Sequence, residues 1–254
     1  MVILSNATYA VTPLGQTESK PPVQALIDTQ RQRLTSSDPE ERRDALMRLG
    51  ALHRVAASRE AMVGLTDASP MVRAVATKAI LSIGADESVA ALVPLISDKD
   101  EFVRREVAYA LGLTRSHQAT GALTTLLLND KEDGVRSAAA VGLGEIGDET
   151  AVVTLANVLT PVAKNQGKRK TEKNVFVLRA AARSLGQIKS RAGVPALVAT
   201  LSDEKQVDDV RREAALALGA IKDPAAVPAL QNAANSGDPY LAQAAFQSLH
   251  KINP

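Results

Sequence analysis

Three histidines, the Asp-Asp pair at 208–209 and a run of lysines are residues in this sequence whose types could do chemistry. His53, His117 and His250 could each ligate a metal through a ring nitrogen, but a metal site needs three or four ligands meeting at one point. These three lie in distant stretches of chain, so no metal site is expected. Asp208-Asp209 places two carboxylates side by side, as general acid–base work would need. The pair falls in the loop before a helical stretch, where N-terminal capping and contact with the helix dipole are the simpler use. No nucleophile elbow or Gly-rich phosphate loop is present. The chain has no Cys, which removes disulfides and thiolate chemistry and leaves the compartment open. No catalytic residue, cofactor or metal is expected, and the chain is expected not to be an enzyme.

The basic run is the sharpest local feature. Residues 162–174 read VAKNQGKRKTEKN, with Lys164, Lys168, Arg169, Lys170 and Lys173 against Glu172. No aromatic residue interrupts the run to stack on a nucleic-acid base. Its structural reading is a solvated loop. Its functional reading is a contact for an acidic protein surface, for nucleic acid or for membrane headgroups. The whole chain does not share this bias: 30 basic residues meet 28 acidic ones, for a net charge of +2. Such a balance does not describe a general polyanion binder.

What elements would position these groups? Residues 135–155 read VRSAAAVGLGEIGDETAVVTL and residues 210–230 read VRREAALALGAIKDPAAVPAL, with a looser copy at 103–123. A phrase written this often describes architecture. The last residue of each Ala-Leu-Gly-like triplet falls at Gly50, Leu81, Gly112, Gly144, Gly186, Gly219 and His250, so about six units and a terminal half-unit follow one another. Within each unit, apolar or small residues such as Val135, Ala139, Gly142 and Leu143 trace one helical face. Val152, Leu155 and Leu159 trace a second. Ile146-Gly147-Asp148 reads as a helix end, a tight turn and a new cap. Asp38-Pro39 and Asp238-Pro239 each read as a cap and an N1 proline. With 45% apolar and 2% aromatic residues, the core is one of Ala, Leu and Val, suited to close-packed helices and poorly suited to a sheet. The expected fold is all-α: an α-solenoid, or α-α superhelix, of helix-turn-helix repeats over 35–254, broken by the basic insertion at 162–174. Residues 1–34 form an N-terminal arm, irregular to Pro22 and then a leading helix from Val23 to Leu34. The N-terminus lacks a basic n-region and a long apolar run, and no segment reaches 18 continuous apolar residues, so neither a signal peptide nor a membrane span is expected. A cytoplasmic, soluble protein is the expectation.

Val72-Arg73, Val103-Arg104, Val135-Arg136 and Val210-Arg211, with leading Asp67, Asp98 and Asp130 and the triplets ending at Gly112 and Gly219, resemble the HEAT-repeat superfamily in its short form, the phycobilisome lyase-type HEAT-like repeat. The resemblance implies that the arginines form a structural ladder with the aspartates, a carboxylate before one helix pairing with an arginine on the next. Arg105 and Arg212 are then expected on a solvated face. It also implies that the second helices line the concave surface. HEAT-repeat hydroxylases that bind iron carry His-Glu dipeptides, and this sequence has none. On the second-helix face the outward positions include Glu87; His117, Gln118 and Thr125; Glu149 and Asn157; and Arg191. They are small and mixed, without the row of Lys and Arg that would follow a duplex or the aromatic walls that would hold a pigment. The expected function is a non-enzymatic scaffold or adaptor, a component of a larger assembly, that binds a protein partner on this face with help from the basic insertion. Two alternatives stay open: a bilin lyase-type protein, implied by the resemblance alone, and a nucleic-acid-binding HEAT-repeat protein.

Overall fold

The computed structural model describes residues 23–160 and 173–252. Fourteen α-helices run through them with no strand among the described residues. A leading helix α1 (Val23–Arg33) precedes six hairpins. Their first helices are α2 (Pro39–Ala51), α4 (Pro70–Ala79), α6 (Glu101–Leu113), α8 (Asp133–Ile146), α10 (Val175–Ile188) and α12 (Asp208–Ile221). Their second helices are α3 (Val55–Ala61), α5 (Ala85–Leu92), α7 (Thr120–Asn129), α9 (Val152–Leu159), α11 (Val194–Ser202) and α13 (Val227–Ala233). A lone first helix, α14 (Pro239–Ile252), follows. Each first helix packs against the first helix of the next unit and, from α4 onward, against the second-helix segment of the unit before it. The fold is the all-α solenoid that the repeat spacing predicts.

The residues at each boundary explain where the helices begin and stop. Asp38 accepts a hydrogen bond from the Glu40 N–H, with Pro39 at N1. Asp238 likewise accepts from the Leu241 N–H at 2.6 Å. α8 ends on Gly147, whose φ of 75° is left-handed, a conformation glycine adopts without strain. Asp148 then accepts from the Thr150 N–H. Here the structure adds a detail absent from the periodicity. Four second helices open with one 3₁₀ turn, at His117–Ala119, Glu149–Ala151, Arg191–Gly193 and Pro224–Ala226, capped by Ser116, Asp148, Ser190 and Asp223.

The recurring triplet is the packing seam. Its leucine is fully buried in unit after unit, as Leu49, Leu111, Leu143, Leu185 and Leu218, each contributing roughly 1.5–3 kcal/mol of burial. The glycine after it lets two first helices touch. A Cβ on Gly112 would lie 2.6 Å from Gly142 Cα, and one on Gly186 would lie 2.8 Å from Ala217 Cα. Hydroxyls also cross the seam, since Ser58 Oγ donates to the Ala79 carbonyl and Ser184 Oγ to that of Ala140.

Candidate interaction surface

The repeated arginines come first because they could have been anion sites. Two of them, together with Arg42 at the matching place in the first unit, are fully engaged within the stack. Arg42 Nε lies 2.7 Å from Asp67 Oδ2, Arg73 Nε 2.8 Å from Asp98 Oδ2, and Arg104 Nε 2.7 Å from Asp130 Oδ2. In each, Nη2 donates to the other carboxylate oxygen, so the contact is bidentate. The remaining Nη1 donates to main-chain carbonyls, for Arg73 those of Asp67 and Ala68. Each arginine therefore reaches forward to the next aspartate's carboxylate and back only to the main chain around its own. Burial pushes the Asp98 and Asp130 carboxyls up, but the hydrogen bonds from Arg73 and Arg104 and from main-chain N–H groups outweigh it and hold both below the usual carboxylate range. Arg136 and Arg211 behave differently, pairing one turn back with Asp133 and Asp208.

Two expectations about charged residues need correcting. Asp208 and Asp209 stand inside the first turn of α12, with Val207 as the N-cap residue, and pair with Arg211 and Arg212. Arg105 and Arg212 are not simply solvated. The Arg105 guanidinium lies 4.9 Å from the Phe102 ring centroid, and that of Arg212 lies 6.0 Å from the Tyr240 centroid, both within cation–π reach.

The second-helix positions singled out from the sequence fall at equivalent places on successive units. His117, Gln118, Thr125, Glu149 and Arg191 are exposed, while Glu87 and Asn157 are half-buried. A chain of contacts between units runs along the starts of these helices. Arg59 forks onto Glu87 at 2.9 and 3.0 Å. Ser116 Oγ meets Asp86 Oδ1 at 3.3 Å, and His117 Nδ1 stands 4.0 Å from Asp148 Oδ2. Ser190 Oγ donates to Glu149 Oε1 at 2.8 Å, and Arg191 Nε lies 3.6 Å from Asp223 Oδ2. Lys164, Lys168, Arg169 and Lys170 lie outside the described residues. Lys173 is exposed where the chain enters α10.

Sequence reasoning missed a groove on the opposite side, between α2, α4 and α6. It measures about 400 Å³ and is walled by Met47, Val75 and Phe102. Phe102 and Met47 break the Ala/Leu/Val pattern of the core and are the signal that could have marked it. Donor groups for a metal do not converge anywhere comparable. Among the described residues no three of His, Asp or Glu are placed to hold an ion. His53 follows α2, His117 opens the turn before α7, and His250 sits on α14. These residues do not fit the iron that the hydroxylases with His-Glu pairs bind. Among the described residues no helix is long and apolar enough to cross a membrane.

Against this geometry the likenesses to known proteins can be weighed. The model for HEAT repeats matches residues 58–144 and 170–250, and that for the PBS lyase HEAT-like repeat matches 135–160. The first spans well over half of the sequence, and the chain belongs to the HEAT-repeat family. Deoxyhypusine hydroxylase-B of Oryza sativa subsp. japonica is 39% identical over 71 residues, 28% of this chain and 24% of the hydroxylase. The match thus spans about a quarter of that relative's length. The complex of CpcE and CpcF of phycocyanin lyase from Nostoc sp. PCC7120 superposes with a TM-score of 0.53 at 22% identity, covering 98% of this chain and 94% of that one. Escherichia coli YibA does so with 0.60 at 19% identity, covering 90% and 81%. These two similarities establish a common fold. The hydroxylase corrects the expectation that the chain is not an enzyme, because the relative it matches in sequence is one.

Proposed function

We propose that this chain is a scaffold that docks a protein partner along the starts of its second helices, as part of a larger assembly. The observation that supports this reading is the row Glu87, His117, Glu149 and Arg191, held in register by side-chain contacts between consecutive units. A surface braced in advance loses little conformational freedom on binding. Its mixture of both charge signs with uncharged Gln118 and Thr125 suits a polar protein surface better than a polyphosphate backbone. The test replaces Gln118, Thr125 and Glu149 by arginine together and compares proteins retained from the native host, identified by mass spectrometry. A partner held by the parent chain is lost from the variant while its melting temperature is kept. Retention of the same set by both would overturn the reading.

A second reading is enzymatic, and the 39% identity to the rice hydroxylase supports it. In that reading the chain acts on a deoxyhypusine-bearing protein, alone or beside another subunit. Incubation with a deoxyhypusine-bearing protein, followed by mass spectrometry for a hydroxylated product, tests it directly. Lack of product in the presence of the co-purifying subunits would remove it.

A further inference from the structure

The groove between α2, α4 and α6 has a chemistry the second-helix row lacks. α4 lies between α2 and α6 and offers small residues outward, so the helices on either side stand above it. Leu46 and Ala74 form a floor that is buried, whereas Met47 leaves 56% of its surface exposed. Lys78 Nζ bonds Glu106 Oε2 at 2.9 Å across the edge, with the lysine side chain still 53% exposed. Arg105 sits over the Phe102 ring and 3.9 Å from the same Glu106. Lys78 in the groove wall and Arg105 behind Phe102 therefore flank one carboxylate, and that carboxylate is only 16% exposed against 53% for Lys78.

Most of the aromatic residues share the first helices with the groove, though only Phe102 lines it. Phe102, Tyr109, Phe176, Tyr240 and Phe246 all lie on first helices, and none is buried. Phe102 and Tyr109 pack in part against the core, whereas Phe176, Tyr240 and Phe246 leave most of their surface exposed. Exposed aromatics, methionine and arginine are what protein interfaces are enriched in. The groove is open to solvent along its walls, where a small ligand would need most of its surface enclosed. An open apolar trough between helices suits the apolar edge of another helix laid along it.

We propose that this groove docks an amphipathic helix of a partner protein, apolar residues seated on Leu46, Met47, Val75 and Phe102, and acidic residues beside Lys78 and Arg105. None of these groups belongs to the second-helix row, so the two surfaces can be occupied together and tested apart. The probe is a fluorescent, acetylated helical peptide with leucines at i, i+3, i+4 and i+7 and glutamates flanking them, compared with a twin carrying lysines in place of the glutamates. Anisotropy titration should show saturable binding of the acidic peptide, weakened on the order of tenfold by Val75→Glu or Met47→Glu. Lys78→Ala should narrow the preference for the acidic peptide over its twin. Met47 is already exposed, so Met47→Glu keeps the fold even if Val75→Glu does not, and far-UV circular dichroism checks both. Equal binding of the two peptides, or no loss with Met47→Glu, would overturn the proposal. So would failure of the acidic peptide alongside saturable binding of myristate, which would make the trough a site for small amphiphiles.

Discussion

Arg104 shows how much one side chain can do between two units. It forks onto Asp130 at 2.7 and 3.0 Å and donates to the Asp98 carbonyl at 2.8 Å, with the two charged side chains only 8% and 5% exposed. Removing one member of so enclosed a pair leaves the other charge without compensation, at a cost of about 3–5 kcal/mol. Arg104→Ala should therefore lower the urea midpoint sharply. Arg104→Lys should recover only part of the loss, because an ammonium cannot reproduce the planar fork. The pH dependence follows from the carboxylate. Asp130 is held below its ordinary range when folded, so the unfolded chain binds its proton first as acid is added. The stabilisation is present above about pH 4, the unfolded value, and is lost as pH falls through the lower folded one. Urea titrations of the parent and of Arg104→Ala should thus diverge widely at neutral pH and draw together as the pH falls below about 4, the unfolded value. A gap of constant size would mean that the pair acts through packing and not through charge.

At the scale of the element, glycine positions separate contact from propensity. Gly112 and Gly121 both lie within helices, α6 and α7. A Cβ on Gly112 would collide with Gly142 Cα, whereas one on Gly121 would meet nothing within 4 Å. Gly112→Ala should destabilise by about 1–3 kcal/mol through overpacking. Gly121→Ala should be neutral or stabilising by up to about 1 kcal/mol, because alanine favours the helix. Thermal melts of the two variants decide it, and a similar loss from both would contradict the seam. The seam was legible in the sequence because close approach demands a small residue, and glycine recurs at Gly50, Gly112, Gly144, Gly186 and Gly219, with Leu81 and His250 as the exceptions. Helix ends were legible at Asp38-Pro39 and Ile146-Gly147-Asp148, where capping is local chemistry. The arginine pairing could be read, but not its direction, since Arg73 reaches Asp98 across a seam that only tertiary stacking creates. The groove left only the faint mark of Met47 and Phe102 breaking the Ala/Leu/Val pattern, not the outline of a site. Met47, Val75 and Phe102 come from three helices and share no spacing.

Over the whole molecule the question is whether the basic insertion divides the stack. The described residues on its two sides pack as neighbours elsewhere do. Ser184 on α10 donates to the Ala140 carbonyl of α8 at 2.7 Å, and Ser190 reaches Glu149 at 2.8 Å. In a solenoid each unit is stabilised by the one beside it, so a seam that closes over the insertion keeps both halves in one cooperative system. The insertion should then be dispensable for folding. Other connections between units are short, Asp130 to Glu132 before α8 and Asp203 to Val207 before α12. Excising residues 163–172 leaves Thr160, Pro161, Val162, Lys173 and Asn174, a link as long as the second of these. The excised chain should unfold in a single transition within about 0.5 kcal/mol of the parent, because the seam between α8 and α10 is kept. It should also capture the second-helix partner more weakly at low salt, because the lost lysines act over a Debye length of about 10 Å or more only when ions are few. Calorimetry reads the first outcome and capture at two ionic strengths reads the second. Two separate transitions would show that the halves are coupled through the insertion itself, and unchanged capture with unchanged salt dependence would leave the basic run no part in binding.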